Sequence, residues 1–260
     1  MSYSIKVTFL GTGTSQGVPV IGCTCEVCLS SDSRDKRMRT SAMIEVKGLK
    51  LLIDPGPDLR YQMLSNGFTN IDAILVTHEH ADHTAGLDDV RPVNFRYNKD
   101  IPLFAMERVI QDIRLRFSYA FSENAYPGSP RISCQSIQPG VAFNLGEPLV
   151  EILPISVIHG NLQIIGFRIG EFCYITDASE LSPQSLAELS NVRVLVINAL
   201  QLTPHFSHFT LEEALSVIRH LRPQKAYLTH MSHHLGCHEN LLTRLPDFVF
   251  PAYDGLEIIV

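Results

Sequence analysis

A chain that runs Asp72-Ala73-Ile74-Leu75-Val76-Thr77 straight into His78-Glu79-His80-Ala81-Asp82-His83 has few ways to fold. The first six residues are apolar enough for a buried strand. The next six crowd together imidazoles and carboxylates, the ligand set of zinc, manganese or iron. A turn aims residues i and i+2 at one ion. Residues i+4 and i+5, where a helix would begin, reach a second ion beside it. The stretch predicts half of a two-metal hydrolytic site at the end of a strand, and a solvated loop with chance histidines is the weaker reading.

Three more candidates end apolar runs: His159 after Ile155-Ser156-Val157-Ile158, Asp177 after Tyr174-Ile175-Thr176, and His230 after Leu228-Thr229. Alone, each would read as a hydrogen-bonded structural residue. Together, in a chain that already holds a ligand cluster, they read as further ligands.

The rest of the pattern suggests mixed sheets with helices outside. Ile5–Leu10 is a first strand, and Ala42–Val46 with Leu49–Ile53 form a hairpin around Lys47-Gly48. Gly11-Thr12-Gly13-Thr14-Ser15-Gln16 fails the dinucleotide fingerprint because Gln16 takes the third glycine position, so a tight turn near a ligand is expected. The charged run from Ser30 to Thr40 is expected to be exposed. Leu211, Leu215, Ile218 and Leu221 share one face of a helix that Thr210 should cap. Segment 88–131 breaks the pattern and is taken as a substrate cover inserted into a single domain over 1–260.

With 260 residues the chain holds ample core, and its net charge of −6 argues against a broad nucleic-acid surface. The apolar runs are strand-length, so no membrane partner is expected. Met1–Lys6 has no signal-peptide core, which points to the cytoplasm, where six cysteines suggest metal binding or reduced thiols. Cys23, Cys25 and Cys28 fall within six residues and offer three thiolates, one short of a closed tetrahedral zinc site.

The order HxHxDH, His, Asp, His resembles the metallo-β-lactamase superfamily across nearly the whole chain. That resemblance implies an α/β (α+β) fold, a four-layer αββα sandwich with its site at the sheet edges. It also implies two divalent ions, zinc or manganese. His78, His80 and His159 would hold one, Asp82, His83 and His230 the other, and Asp177 would bridge. Asp54 matches an early strand-end aspartate that orients ligands. Asp82 would also orient the attacking water. His208, just before a helix, is similar to the general-acid histidine of phosphodiesterase members such as tRNase Z. His205 and His220 are read as structural and solvated.

The cysteine loop, with Thr229-His230-Met231-Ser232-His233, resembles the PhnP subgroup of cyclic phosphate phosphodiesterases, and there His233 would complete a structural zinc site. The expected activity is hydrolysis of a small or cyclic phosphodiester, with a dimer as the favoured assembly. A tRNA 3′-processing endonuclease and a non-hydrolytic protein resembling PqqB are the alternatives. His234, Cys237 and His238 are assigned to the surface or to adventitious metal. Arg91 is read as an ordinary salt bridge in preference to a phosphate clamp.

Overall fold

The computed structural model describes residues 3–260. Its strands are β1 (Ile5–Gly11), β2 (Ser41–Val46), β3 (Leu49–Ile53), β4 (Ala73–Leu75), β5 (Ile101–Ala105) and β6 (Ile132–Ser136) in a first sheet. A second sheet holds β7 (Phe143–Leu145), β8 (Val150–His159), β9 (Leu162–Ile169), β10 (Phe172–Tyr174), β11 (Val194–Asn198), β12 (Lys225–Thr229) and β13 (Val249–Pro251). β14 (Glu257–Ile259) returns to the first sheet beside β1. The orders are β14-β1-β2-β3-β4-β5-β6 and β13-β12-β11-β10-β9-β8-β7.

Strand periodicity explains the layering. In the second sheet Phe172, Tyr174, Val194, Val196 and Tyr227 join the core shared with the first sheet. The alternate residues Cys173, Ile175, Leu195, Ile197, Ala226 and Leu228 join a second core with Leu211, Ala214, Leu215 and Ile218 of the helix Leu211–Leu221. A side-chain period of two therefore buries both faces, one against a sheet and one against a helix. Thr210 caps that helix in a reciprocal capping box with Glu213. On the far side Leu59 and Met63, Leu87 and Val90, and Val109, Ile110 and Ile113 lay three further helical segments on the first sheet. The result is the αββα sandwich.

Three expectations need correction. Segment 88–131 is not wholly a cover, because β5 pairs in parallel with both β4 and β6, and the helix Glu107–Arg116 buries Val109, Ile110 and Ile113. Pro102 masks this strand in the sequence, but β4 pairs only from Leu103 onward. The parts around 95–100 and 118–128 are largely exposed. Second, the charged run is not uniformly exposed: Asp35 and Arg37 are buried. Arg37 donates to Thr12 Oγ1 at 2.9 Å and to the Ala252 carbonyl at 2.6 Å. Third, His238 is buried, its backbone N–H bonded to Asp35 Oδ1 at 2.7 Å. A buried charge in a polar run needs distant partners, which local pattern does not reveal.

The glycines of the first turn are required by close approach. A Cβ on Gly11 would lie 2.0 Å from the Arg39 carbonyl, and one on Gly13 would lie 2.8 Å from that of Arg37. This packs segment 37–40 against the β1 turn and brings Thr40 under the site.

Candidate metal centre

β3 pairs in parallel with β4, and β10 and β12 each pair in parallel with β11 between them, so the carboxyl ends of these strands open toward one edge of the sandwich. Ligand sites in α/β sheets form at such strand ends. Asp54 follows β3, His78 to His83 follow β4, Asp177 follows β10 and His230 follows β12. Asp54, Asp177 and His230 adopt left-handed φ values of 55°, 57° and 53°. Non-glycine residues hold that conformation at a cost, and it recurs where side chains must be aimed.

The scattered candidates converge. One ligand atom from each of His78, His80 and His159 lies within 4.8 Å of the others, and the same holds for Asp82, His83 and His230. Asp177 lies between the two groups. Its Oδ2 is 3.3 Å from His83 Nε2, and its Oδ1 is 3.3 Å from His230 Nε2. His208 Nδ1 sits 3.8 Å from the same Oδ1.

Four of the histidines are oriented by the ring nitrogen that points away from the centre. His83 Nδ1 donates to Asp54 Oδ2 at 2.7 Å, and His159 Nδ1 donates to the Ser207 carbonyl at 2.6 Å. Thr77 Oγ1 gives its proton to Asp54, so at 2.9 Å it accepts from His78 Nδ1. Thr40 Oγ1 likewise donates to Gly13 and accepts from His230 Nδ1 at 3.2 Å. Each Nε2 is thereby left as a lone pair facing inward, the tautomer a metal ligand needs. His78 Nε2 and His83 Nε2 are buried with no aligned hydrogen-bond partner among the described residues. An unpaired buried polar atom costs about 1–3 kcal/mol, so these nitrogens fit a group that coordinates them. The mixed nitrogen and oxygen donor set suits a divalent transition metal.

The electrostatics favour positive charge at His83, which a proton on its own Nε2 or a cation in its place would supply. Burial opposes charge on His83, but Asp82, Asp177 and Asp54 outweigh it and hold its pKa well above the ordinary value. Burial, then the neighbouring His83, keeps His78 well below its own. Burial also presses on Asp177, yet His230 and His83 pull its carboxyl well below the usual range. The cluster concentrates carboxylate charge that cations would balance.

Behind the histidine loop, Glu79 points away from the centre. It receives Arg108 Nε at 2.9 Å and Nη2 at 3.0 Å, while Arg116 Nη2 donates to its carbonyl at 2.7 Å. The helix Glu107–Arg116 thus grips the loop. Arg91 forms an ion pair with Asp88 at 2.5 Å. His220 is exposed, and His205 Nδ1 accepts from Ser207 N–H at 3.4 Å in a local turn. His208 is not the helix cap, a position Thr210 fills. Thr40, Thr77 and the Ser207 carbonyl were not legible in the sequence. Only the adjacency of Thr77 to His78 hinted at one of them.

A second cluster lies near the end of β12. His233 Nδ1 is 3.3 Å from the sulfurs of Cys23 and Cys25 and 3.5 Å from that of Cys28. The Cys28 backbone N–H leads in lowering Cys25 to about 6, whereas burial pushes Cys28 up to about 11. Cys237 packs beside these thiols and His234 is exposed.

A family model for a β-lactamase superfamily domain matches residues 50–231. The chain belongs to the β-lactamase superfamily. Within it the chain is PhnP-like, since the crystal structure of a new diphosphatase from the PhnP family superposes with a TM-score of 0.92. The two are 38% identical, over 99% of this chain and 97% of that one. Zinc-bound PqqB from Methylobacterium extorquens shares the fold, with a TM-score of 0.78 at 19% identity over 97% and 99% of the two chains. The octanoyltransferase of Porphyromonas gingivalis (strain ATCC BAA-308 / W83) is 39% identical over 258 residues, 98% of this chain. That is 52% of that protein, so the chain spans about half its length. No helix among the described residues is long and apolar enough to cross a membrane.

Proposed function

We propose that this chain is a metal-dependent phosphodiesterase that hydrolyses a small linear or cyclic phosphodiester. The observation that carries the reading is the convergence of seven ligand-capable side chains beside a histidine, His208, that belongs to neither triad. Likeness to a PhnP-family diphosphatase supports phosphoryl chemistry in particular. The octanoyltransferase relative is about twice as long, and its named activity is not carried over.

His78, His80 and His159 would hold one divalent ion, zinc or manganese; Asp82, His83 and His230 would hold the other, with Asp177 between them. Such a pair lowers the pKa of a bound water and offsets charge on the phosphoryl oxygens. The chain's own residues supply the rest. Asp82, on the floor of the pocket, accepts a hydrogen bond from the attacking water and orients it. His208 donates a proton to the departing alkoxide. In the substrate-free pocket, burial and the neighbouring His230 push His208 down to about 3. A negative phosphate beside it would oppose that shift. Ser207 orients His159 through its carbonyl and places His208 by adjacency.

Cys23, Cys25, Cys28 and His233 would hold a structural zinc, which needs reduced thiols and so favours the cytoplasm. We also favour a homodimer, which light scattering tests. For the activity, zinc- or manganese-loaded protein is expected to hydrolyse bis(p-nitrophenyl) phosphate and cyclic phosphodiesters well above a thioester, a β-lactam or a precursor tRNA. Preference for any of the last three would overturn the phosphodiesterase reading.

A further inference from the structure

A cavity of about 480 Å³ lies over the candidate metal centre, lined by His80, Asp82, His159, Asp177, His208 and His230 on its floor. Two large apolar groups also line it, Leu162 and Phe206, and of these Phe206 stands out at 83% exposed. Burying a phenylalanine contributes about 1.5–3 kcal/mol, so folding gives no reason to hold this ring in water. It is nevertheless held in a defined place. Gly160, at φ 61°, supplies the backbone on which the ring lies, and a Cβ there would meet Phe206 Cε2 at 3.1 Å. The His205 ring lies 5.3 Å from it at an interplanar angle of 31°. His205 in turn is 5.1 Å from His208, which is 4.6 Å from His159. A continuous series of rings therefore leads from the metal ligands outward, and Phe206 is its exposed end.

We infer that Phe206 is a stacking platform that selects nucleoside phosphodiesters, its face receiving the nucleobase on the leaving-group side. The inference rests on the phosphodiesterase reading above and names the substrate class of that site. The side is fixed by connectivity, because Phe206 is two residues from His208, the group assigned to the departing oxygen. A diester bound with that oxygen at His208 directs its attached sugar and base toward the same rim. A phenyl ring recognises the π-face and not the edge, so the platform accepts all four bases. Asn161 and Ser15, also on the rim, offer hydrogen bonds to base or sugar.

The test compares adenosine 2′,3′-cyclic phosphate with 1-O-methylribose 2,3-cyclic phosphate, which lacks the base, on the metal-loaded enzyme. Phe206→Leu, which keeps an apolar group but removes the ring, is expected to raise KM for the nucleotide about tenfold or more, with kcat within about twofold. Its KM for the abasic diester should be unchanged, and Phe206→Tyr should behave as wild type. Equal effects on both diesters, or none, overturn the inference. Calorimetric binding of AMP and of ribose 5-phosphate gives a readout independent of turnover. AMP binding no tighter than the sugar phosphate overturns the stacking role even if diesters are cleaved. Loss of dimerisation in Phe206→Leu without loss of nucleotide preference would assign the ring to contact between copies, also against the inference. Turnover of neither diester by a wild type that still prefers AMP would instead sink the phosphodiesterase reading alone.

Discussion

Replacing Asp54 by asparagine changes one oxygen for nitrogen at a fully buried position, and the structure gives the consequence. Asp54 Oδ1 accepts from Thr77 N–H at 2.8 Å, while Oδ2 accepts from both Thr77 Oγ1 and His83 Nδ1. Asparagine keeps the first bond. At the second oxygen its amide donates, so it meets the His83 N–H as donor against donor. His83 must lose that bond or move its proton to Nε2, the atom that faces Asp82 and Asp177. The lost bond is charge-assisted and buried, worth about 1.5–3 kcal/mol. Loss of such an orienting partner weakens metal binding about 10–100-fold, which at about 1.4 kcal/mol per tenfold spans a similar range. Thr77 also orients His78, so both sets of ligands are disturbed, but the His83 set more. Competition for zinc against a chromophoric chelator should show one ion of the centre weakened by that factor. The cysteine cluster, built on other segments, should bind as before and serves as an internal control. A folded Asp54→Asn protein that binds every ion within twofold of wild type would refute the argument that Asp54 fixes the tautomer.

Four other outcomes follow from the same geometry. His208→Ala should retain the ions and lose most phosphodiester turnover, about 100-fold or more; metal content and kcat measured together check this, and an equally active variant removes the proton-donor role. Cys25→Ser or His233→Ala should lose one zinc per chain and lower Tm, with the remaining two ions still bound by elemental analysis; an unchanged zinc count argues against that cluster. Ile113→Ala should cost about 2–5 kcal/mol in denaturant unfolding, because this part of 88–131 is core, whereas shortening 122–128 should cost little. Burial pushes the Asp254 carboxyl up to about 7, against about 3.8 when unfolded. The folded chain therefore holds a proton that the unfolded chain releases, and this group's contribution to stability falls as pH rises from about 4 to 7. Asp254→Asn should flatten the Tm-against-pH curve in that window, and a curve no flatter than wild type contradicts the assignment.

Sequence made the ligands visible because their chemistry is scarce and their setting is simple. Parallel strands buried on both faces are short apolar runs, so the polar residue that ends each one stands out, as His78, Asp177 and His230 do. The cap at Thr210 was legible for the same local reason, whereas its reciprocal bond with Glu213 was not read. What orients the ligands was not. Thr40 lies 190 residues from His230, and Ser207 acts through a backbone carbonyl that any residue possesses. The burial of Arg37 and His238 depends on Thr12, Ala252 and Asp35, which only the folded chain brings near. β5 was hidden by Pro102 inside a run too short to declare itself. Phe206 gave no signal, because an exposed aromatic in a loop acquires meaning only from the cavity it borders.

The account stands on two neighbouring cations held by side chains from four strand ends. Anomalous diffraction at the zinc edge from zinc-loaded crystals measures this directly. Two peaks about 3.5–4 Å apart are expected, one against His78, His80 and His159, the other against Asp82, His83 and His230, with Asp177 between them. A third should lie at Cys23, Cys25, Cys28 and His233. A pocket that binds zinc through other residues, or that holds a single ion at saturating zinc, would contradict the two-ion centre.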